Sequence, residues 1–362
     1  MKGIDELRSR IDEIDRNIIS LLEERMNLVG KIGGEKKESG LGVYDPKRER
    51  GVIEKLAESS FLDKRFIERL YSSIFSFSRQ LQERGKKSPV IGSEGLIDNP
   101  TVAVLGPRKT FSSLAAEIIF AGKKEIVFLN SFDEIFEAVE KGDADYGVAP
   151  IENSLEGSIN RTLDLLLEKD LYIVAEDVSD IHLCLLCSKN SDLESIKYVS
   201  SHPHAIAQCA RFIKTELSDK TSKSSTSTAQ AAYEASIDPS IAAIGPIEAA
   251  EEYGLKVLKE NIEDDPSKTR FIVLSKNKGV NGSKTSIIFA VADRPGSLFG
   301  TLREFSEKKL NLTKIESRPS RNHLGEYIFF VDFEGNLSNP VIEEVLKSLK
   351  DHTSFLKVLG SY

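Results

Sequence analysis

Three polar side chains stand where an apolar stripe calls for leucine. Ile4, Leu7, Ile11, Ile14, Ile18, Leu21, Leu28 and Ile32 recur in steps of three and four, which predicts one long helix with a packing seam. The position between Leu21 and Leu28 is Arg25, and a guanidinium on such a seam costs several kcal/mol unless an anion meets it. Lys36 falls on the same face, provided the helix survives Gly33-Gly34, where each glycine costs about 1 kcal/mol. A later helix, about Asp63 to Glu83, has Phe66, Leu70, Ile74 and Leu81 as its stripe and is broken by Ser78 and Gln82, one turn apart. Between the two, Asp45 reads as an N-cap and Pro46 as the first residue of a short helix, with Arg48 and Glu49 in its first turn. Cations and donors on an inward face predict a site for a small anion. The alternative is a helical dimerisation module whose charges are solvated.

A second group of residues lies where strands run into helices. Asp145 to Leu166 reads as a buried strand (Tyr146 to Pro150), a polar elbow (Glu152, Asn153, Ser154) and a helix opening near Gly157 and Ser158, with Leu163, Leu166 and Leu167 on its apolar side. Gly106 to Ser112 with Thr110, Ser201-His202-Pro203 and Ser227-Thr228 are further hydroxyl-rich helix starts. Each alone is an ordinary N-cap. Four together predict a cleft lined by helix N-termini and suited to carboxylates.

The elements that must position these residues fall into three stretches. The first, to about residue 87, is helical. The run Glu83 to Pro100 is polar, contains Gly and Pro, and reads as a linker. From 101 to 278 strands and helices alternate, predicting two α/β lobes around a cleft, with Thr269 to Leu274 a strand returning to the first lobe. From 284 to 362 the order is βαββαβ, a ferredoxin-like arrangement.

At 362 residues with net charge -8, the chain has the composition of a soluble globular protein. Residues 1 to 87 carry 19 Lys and Arg against 16 Asp and Glu, leaving -11 for the rest. This argues against a nucleic-acid partner. The absence of a signal-like or membrane-length apolar run predicts a cytoplasmic protein with no membrane partner. Cys184, Cys187 and Cys209 do not make a disulfide framework. C-x-x-C at 184 to 187 lies in a strand-like run whose positions three apart face opposite ways, so these are core cysteines and no metal site is expected.

Arg8, Arg25, Lys36, Asp45, Arg48, Glu49, Ser78 and Gln82 resemble, in order and spacing, the active-site set of the all-helical chorismate mutases. The resemblance implies an intertwined homodimer with Arg8 supplied by the partner chain. Arg8, Arg25 and Arg48 would clamp the carboxylates of chorismate. Lys36 and Gln82 would donate to the ether oxygen, and Glu49 would take the ring hydroxyl.

Gly106-Pro107 with Thr110-Phe-Ser112, GVAPIENSLEGSINRTLD, Ser201-His-Pro with Gln208-Cys209, Ser227-Thr228-Ala229, AAIGPIEAAEEYGL and Thr269-Arg270-Phe271 closely resemble prephenate dehydratase. The implied reaction is decarboxylation of prephenate with loss of hydroxyl to phenylpyruvate, driven by aromatisation. It needs carboxylate holders and one proton donor, with no cofactor. By resemblance Thr269 is the donor or its orienting group. Arg270, Asn153, Ser201 and Thr228 position substrate beside Thr110, Ser154 and Phe271, and Glu152 and Gln208 complete the polar shell. Lys109 stands where the family usually has glycine, so the backbone there either tolerates a side chain or accepts strain. His204 replaces a usual glutamine and reads as an exposed first-turn residue.

Gly296-Ser297-Leu298-Phe299 and Glu316-Ser317-Arg-Pro319, within NLTKIESRP, resemble the phenylalanine-binding ACT domain. That family binds the amino acid between paired domains, making Gly296, Ser297, Leu298, Asn311, Glu316 and Ser317 allosteric candidates. A dimerisation domain without ligand is the alternative.

The resemblances imply an all-α mutase domain (1-87), a linker (88-100), a two-lobed α/β dehydratase domain with a periplasmic-binding-protein-like cleft (101-278) and an α+β ACT domain (284-362). Dimers could pair further into a dimer of dimers. A non-catalytic two-lobed solute binder is a rival reading, as is a mutase fused to prephenate dehydrogenase. No glycine-rich dinucleotide fingerprint supports the latter.

Overall fold

The computed structural model divides the chain into two compact units, residues 1-88 and 89-362. It describes residues 2-38, 46-58, 60, 63, 67, 71, 74, 75, 78, 99-120, 124-279, 282-292, 294-319 and 327-362. Asp45 and Gln82 lie outside the described residues, as do the side chains of Arg8, Lys36 and Glu49.

The first unit opens with a helix of 37 residues, Lys2–Glu38. It runs through Gly33-Gly34 unbroken, because a glycine pair near the end of a long cooperative helix is carried by the turns before it. The seam read from the spacing is not buried within one chain. Ile11, Ile14, Ile18, Leu21, Leu28 and Ile32 are all exposed, Leu21 by 65%. A second helix, Pro46–Glu58, begins at the expected proline. Ile67, Tyr71, Ile74, Phe75 and Ser78 are helical, and Ile67, Phe75 and Ser78 are buried.

In the second unit, strands β1 (Thr101–Leu105), β2 (Glu125–Leu129) and β3 (Tyr146–Asn153) are parallel, β2 and β3 flanking β1. The apolar runs of β1 and β3 are buried on both faces, as parallel strands inside a sheet require, while β2 at the sheet edge is only half-buried. The polar elbow is different from expectation. Glu152 and Asn153 belong to β3 itself, and Gly157–Ser158 is a short strand, β4, pairing back onto them. The helix starts only at Asn160, with no side-chain cap. Glycine at 157 takes a left-handed φ of 80°, which suits the turn-back rather than a helix entry.

Strand β5 (Tyr172–Ile181) leads to the second lobe, whose sheet comprises β6 (Cys184–Ser188), β7 (Tyr198–Ser201), β8 (Thr221–Ser224), β9 (Ile241–Gly245) and β10 (Leu255–Lys259) in the order β10-β6-β9-β7-β8. Strand β11 (Ser267–Ser275) returns to lobe one and lies antiparallel between β3 and β5. Phe271 and Val273 face the core under helix Phe111–Ile119, while Ile272 and Leu274 face the core under helices Phe132–Lys141 and Asn160–Glu168. Cys184 and Cys187 enter the cores on opposite faces of the second sheet.

The C-terminal sheet has strands β12 (Lys284–Val291), β13 (Leu312–Pro319), β14 (Tyr327–Glu334) and β15 (Phe355–Ser361), ordered β13-β14-β12-β15. Phe289, Phe333 and Val331 pack with Phe305, from helix Ser297–Glu307, and with Ile342 and Val345, from helix Pro340–His352. The opposite face of the sheet docks on lobe one, where Ile288, Phe330 and Leu359 join Leu163, Leu166, Ile173 and Leu274 in one cluster. Gly360 allows that approach: a Cβ there would sit 2.3 Å from the carbonyl oxygen of Ile173.

Candidate active site

The register of β3 against β11 sets Thr269 opposite Asn153 and Arg270 opposite Glu152. Side chains alternate across a sheet, so Thr269 and Asn153 share one face and Arg270 and Glu152 the other. On the first face, Asn153 Nδ2 donates to Thr269 Oγ1 at 3.0 Å. The amide orientation follows from its other bonds, because Asn153 Oδ1 accepts from the N–H groups of Leu155 (2.9 Å) and Glu156 (3.1 Å). Ser154 ties the turn to β11, its N–H donating to Lys268 O and its Oγ accepting from Lys268 N–H, each at 2.9 Å. Asn153 and Thr269 are buried. Thr269 Oγ1 accepts from the amide, and among the described residues no acceptor takes its own proton.

Lobe two reaches the turn that follows Asn153 through helix Pro203–Gln208. Gln208 Nε2 donates to Glu156 Oε1 at 3.1 Å, and His204 Nδ1 contacts the other oxygen of the same carboxylate. His204 is exposed in the first turn, as expected, yet it has a cross-lobe partner that sequence alone did not suggest. Burial lowers the pKa of neighbouring His202, with His204 adding to the effect, so its ring is neutral near pH 7. On another side of the lobes Tyr253 Oη donates to Arg108 O at 3.0 Å, and Phe111 packs against cores of both lobes.

Several hydroxyls are committed to the fold. Thr110 Oγ1 donates to Leu105 O at 2.8 Å and caps helix Phe111–Ile119 by accepting from Ser113 N–H. Ser201 Oγ donates to Ile244 O at 2.6 Å. Ser227 caps the next helix, and Thr228 is buried in that helix's first turn. Lys109 has φ 64°, a left-handed conformation that glycine adopts freely, and its ammonium lies 3.1 Å from Glu117. The strain is about 1 kcal/mol.

Arg270 does not join Thr269 and Asn153. Its Nη2 lies 2.7 Å from Asp332, its Nε 2.9 Å from Glu176 and its Nη1 3.5 Å from Glu152. Burial opposes the charged guanidinium, but Asp332, Tyr362 and Glu176 outweigh it and raise the pKa. Phe271 alternates onto the same face of β11 as Thr269, but its side chain is wholly in the core.

In the helical unit, Arg25 Nη1 donates to Ser78 Oγ at 2.6 Å, and Ser78 donates onward to Ile74 O at 2.6 Å. The guanidinium carbon of Arg25 stands 5.6 Å from the centre of the Phe75 ring, an attractive cation–π arrangement. Two stripe-breaking residues, far apart in sequence, therefore meet. Arg48 is exposed. Among the described residues there is no group of three His, Cys, Asp or Glu side chains that could hold a metal, and no helix is long and apolar enough to cross a membrane.

The sequence matches three families: Chorismate mutase type II over residues 7–83, Prephenate dehydratase over 102–279 and the ACT domain over 285–351. A bifunctional chorismate mutase/prephenate dehydratase of Aquifex aeolicus (strain VF5) is 38% identical over 371 residues, covering 100% of this chain and 98% of that protein. The chain belongs to the bifunctional chorismate mutase/prephenate dehydratase family. A prephenate dehydratase of Methanocaldococcus jannaschii is 43% identical over 274 residues, covering 73% of this chain and 98% of its own. The crystal structure of a prephenate dehydratase from Arthrobacter aurescens in complex with L-Phe superposes with a TM-score of 0.66 at 33% identity, covering 72% of this chain and 89% of that one.

In this bifunctional enzyme the regulatory candidates are spread along the C-terminal sheet. Gly296, with φ 86°, caps the helix that follows β12, and Ser297 and half-buried Leu298 open it. Asn311 is exposed beside Glu334, at the opposite end of the register. Glu316 is half-buried in the middle of β13, and Ser317 is exposed. One chain does not bring Gly296 and Asn311 together.

Proposed function

We propose that the helical unit rearranges chorismate to prephenate and that the two-lobed unit converts prephenate to phenylpyruvate, carbon dioxide and water. In the first step the substrate rearranges without a covalent intermediate. Arg25 holds a carboxylate, Ser78 fixes the guanidinium, Arg8 and Arg48 clamp what remains, and Asp45 supports the helix carrying Arg48 and Glu49. Lys36 and Gln82 donate to the ether oxygen as it gains charge, and Glu49 takes the ring hydroxyl. The exposed row Ile11, Ile14, Ile18, Leu21, Leu28 and Ile32 supports a homodimer built on this helix, since an apolar row of that length is normally covered.

In the second step the bond to the ring carboxylate breaks, and its electron pair moves through the ring to expel the hydroxyl. Thr269 protonates or orients that leaving oxygen. The observation carrying this assignment is the direction of the Asn153–Thr269 hydrogen bond: the amide donates to the hydroxyl oxygen, which frees the hydroxyl proton for the substrate. Asn153 and Ser154 keep the loop in register, Ser201, Thr228 and Thr110 shape the walls, and Gln208 links the lobes through Glu156. The L-Phe complex of the Arthrobacter aurescens relative supports feedback by L-phenylalanine through Gly296, Ser297, Leu298, Asn311, Glu316 and Ser317, divided between two copies. A cytoplasmic location fits the pathway chemistry.

Purified protein supplied with chorismate alone is expected to accumulate phenylpyruvate without added nucleotide or metal, and L-phenylalanine is expected to slow it. Product that stops at prephenate would refute the dehydratase assignment.

A further inference from the structure

Behind the Asn153–Thr269 pair, the same two strands carry charged side chains that the dehydration does not use. We infer that Arg270 and Glu152 are positioning residues through which the C-terminal domain grips β11 and β3 and thereby sets the dehydratase step. This rests on reading Thr269 and Asn153 as dehydratase residues.

Each strand is held by its own ion pair across the seam. Glu152, immediately before Asn153, has Oε2 2.9 Å from Lys314 Nζ, and Lys314 also donates to Ser158 Oγ at 2.8 Å. Arg270, immediately after Thr269, has Nη2 2.7 Å from Asp332 Oδ2. Asp332 is buried within the C-terminal sheet and is held there by a chain of hydroxyls. Ser286 donates to Asp332, the Tyr362 hydroxyl lies 2.6 Å from Ser286 Oγ, and Arg270 Nη2 donates to Tyr362 at 3.2 Å. Lys284 pairs with Glu176, which also faces Arg270.

Charge counting decides against Arg270 as a carboxylate holder. Arg270, Lys314 and Lys284 face Glu152, Glu176 and Asp332, so the cluster is neutral without a ligand. A dicarboxylate bound there would have to displace a buried carboxylate from its partner, which is strongly unfavourable. Sheet alternation also aims Arg270 away from Thr269.

The same geometry supplies a route for regulation. Lys314, Glu316 and Arg318 are, with Leu312, the half-buried members of β13. Arg318 Nη1 reaches Asp164 at 2.6 Å and Asn160 O at 2.8 Å. Residues on both sides of the regulatory candidate Glu316 therefore hold the dehydratase lobe, and a shift of β13 on ligand binding pulls on Glu152 directly.

The test is a cycle of Arg270→Gln, Asp332→Asn and the double variant in the full chain. Prephenate turnover is measured with and without L-phenylalanine, with mutase activity and thermal unfolding followed in the same preparations. Each single variant leaves the buried cluster with one unbalanced charge and is expected to lower kcat about tenfold, to leave the KM for prephenate within roughly twofold, and to blunt L-phenylalanine inhibition. The double variant removes both charges and recovers most of kcat. An Arg270→Gln variant whose KM rises tenfold or more, with no rescue by Asp332→Asn, would make Arg270 a substrate ligand and overturn the inference. Lys314→Gln, at the second ion pair, provides an independent arm if the Arg270 variants unfold. It is expected to weaken inhibition with KM unchanged, and unaltered inhibition would count against the coupling. Wild-type protein that forms no phenylpyruvate would instead remove the dehydratase reading on which this one stands.

Discussion

The two catalytic regions of this chain reach their geometry by opposite routes. In the helical unit, Arg25 is anchored by Ser78 while six apolar residues of its own helix remain exposed. In the dehydratase unit, Asn153 and Thr269 are buried, paired in register and hydrogen-bonded within one chain. A sheet brings distant residues together by backbone pairing alone. A single long helix has only its surface to offer and must find a second surface to complete a site. The mutase step is therefore expected to depend on association, and the dehydratase chemistry on the integrity of one fold.

The largest effect is expected from Thr269→Ala. Removing the hydroxyl proposed to serve the leaving group should lower prephenate turnover on the order of a thousandfold, about 4 kcal/mol, with chorismate rearrangement unchanged in the same tube. A comparable loss of both activities would erase the distinction between the regions. Arg25→Ala is the converse experiment. It should lower mutase activity on the order of a hundredfold or more while added prephenate is still consumed. Leu21→Glu places a charge on the exposed row without touching Arg25 or Ser78. Mutase activity should fall roughly tenfold at low protein concentration and recover as concentration rises. A fall independent of concentration would show that the row is not an association surface.

The sequence was most informative where periodicity and type agreed. The three-and-four spacing marked the first helix, and the strand-helix alternation marked both lobes. Arg25 and Ser78 were conspicuous because each broke a stripe, and they do meet. The elbow at Glu152 to Ser154 reads as a loop because polar residues at the end of a buried strand look like one. Only the pairing of Gly157–Ser158 back onto Glu152 and Asn153 shows that the strand continues. Strands β5 and β8 carry too many charged and hydroxyl residues to reveal a strand pattern, and β8 is exposed throughout. Strand alternation could have separated Arg270 from Thr269. Its partners could not have been found, since Tyr362 lies 92 positions away and reaches it only through the docking of the C-terminal sheet.

That docking gives a smaller, purely structural prediction. A Cβ at Gly360 would meet the Ile173 carbonyl oxygen at 2.3 Å, and its φ of 139° already disfavours a side chain. Gly360→Ala should destabilise the second unit by about 1–3 kcal/mol, read as a lowered unfolding temperature. The helical unit's transition should not move.

The smallest effect separates the regions by titration. All three cysteines lie in the second unit, buried, and burial pushes the Cys209 thiol up to about 12 from an ordinary value of 9.0. In the unfolded chain that thiol ionises first, so above pH 9 the unfolded state binds fewer protons than the folded one. Stability contributed by the neutral thiol is complete below pH 9 and falls as pH rises toward 12, by up to about 1.4 kcal/mol per pH unit from this group. Denaturant unfolding of the second unit should thus show a negative slope above pH 9 that is shallower in Cys209→Ala, with no difference between the proteins at pH 7 beyond a constant offset from the lost side chain. The helical unit has no cysteine and should lack this component. Iodoacetamide applied at pH 8 should leave Cys209 unmodified until the protein unfolds, because a thiol with so high a pKa is almost entirely protonated there. Labelling of native protein at pH 8 would mean that this core opens far more readily than its packing indicates.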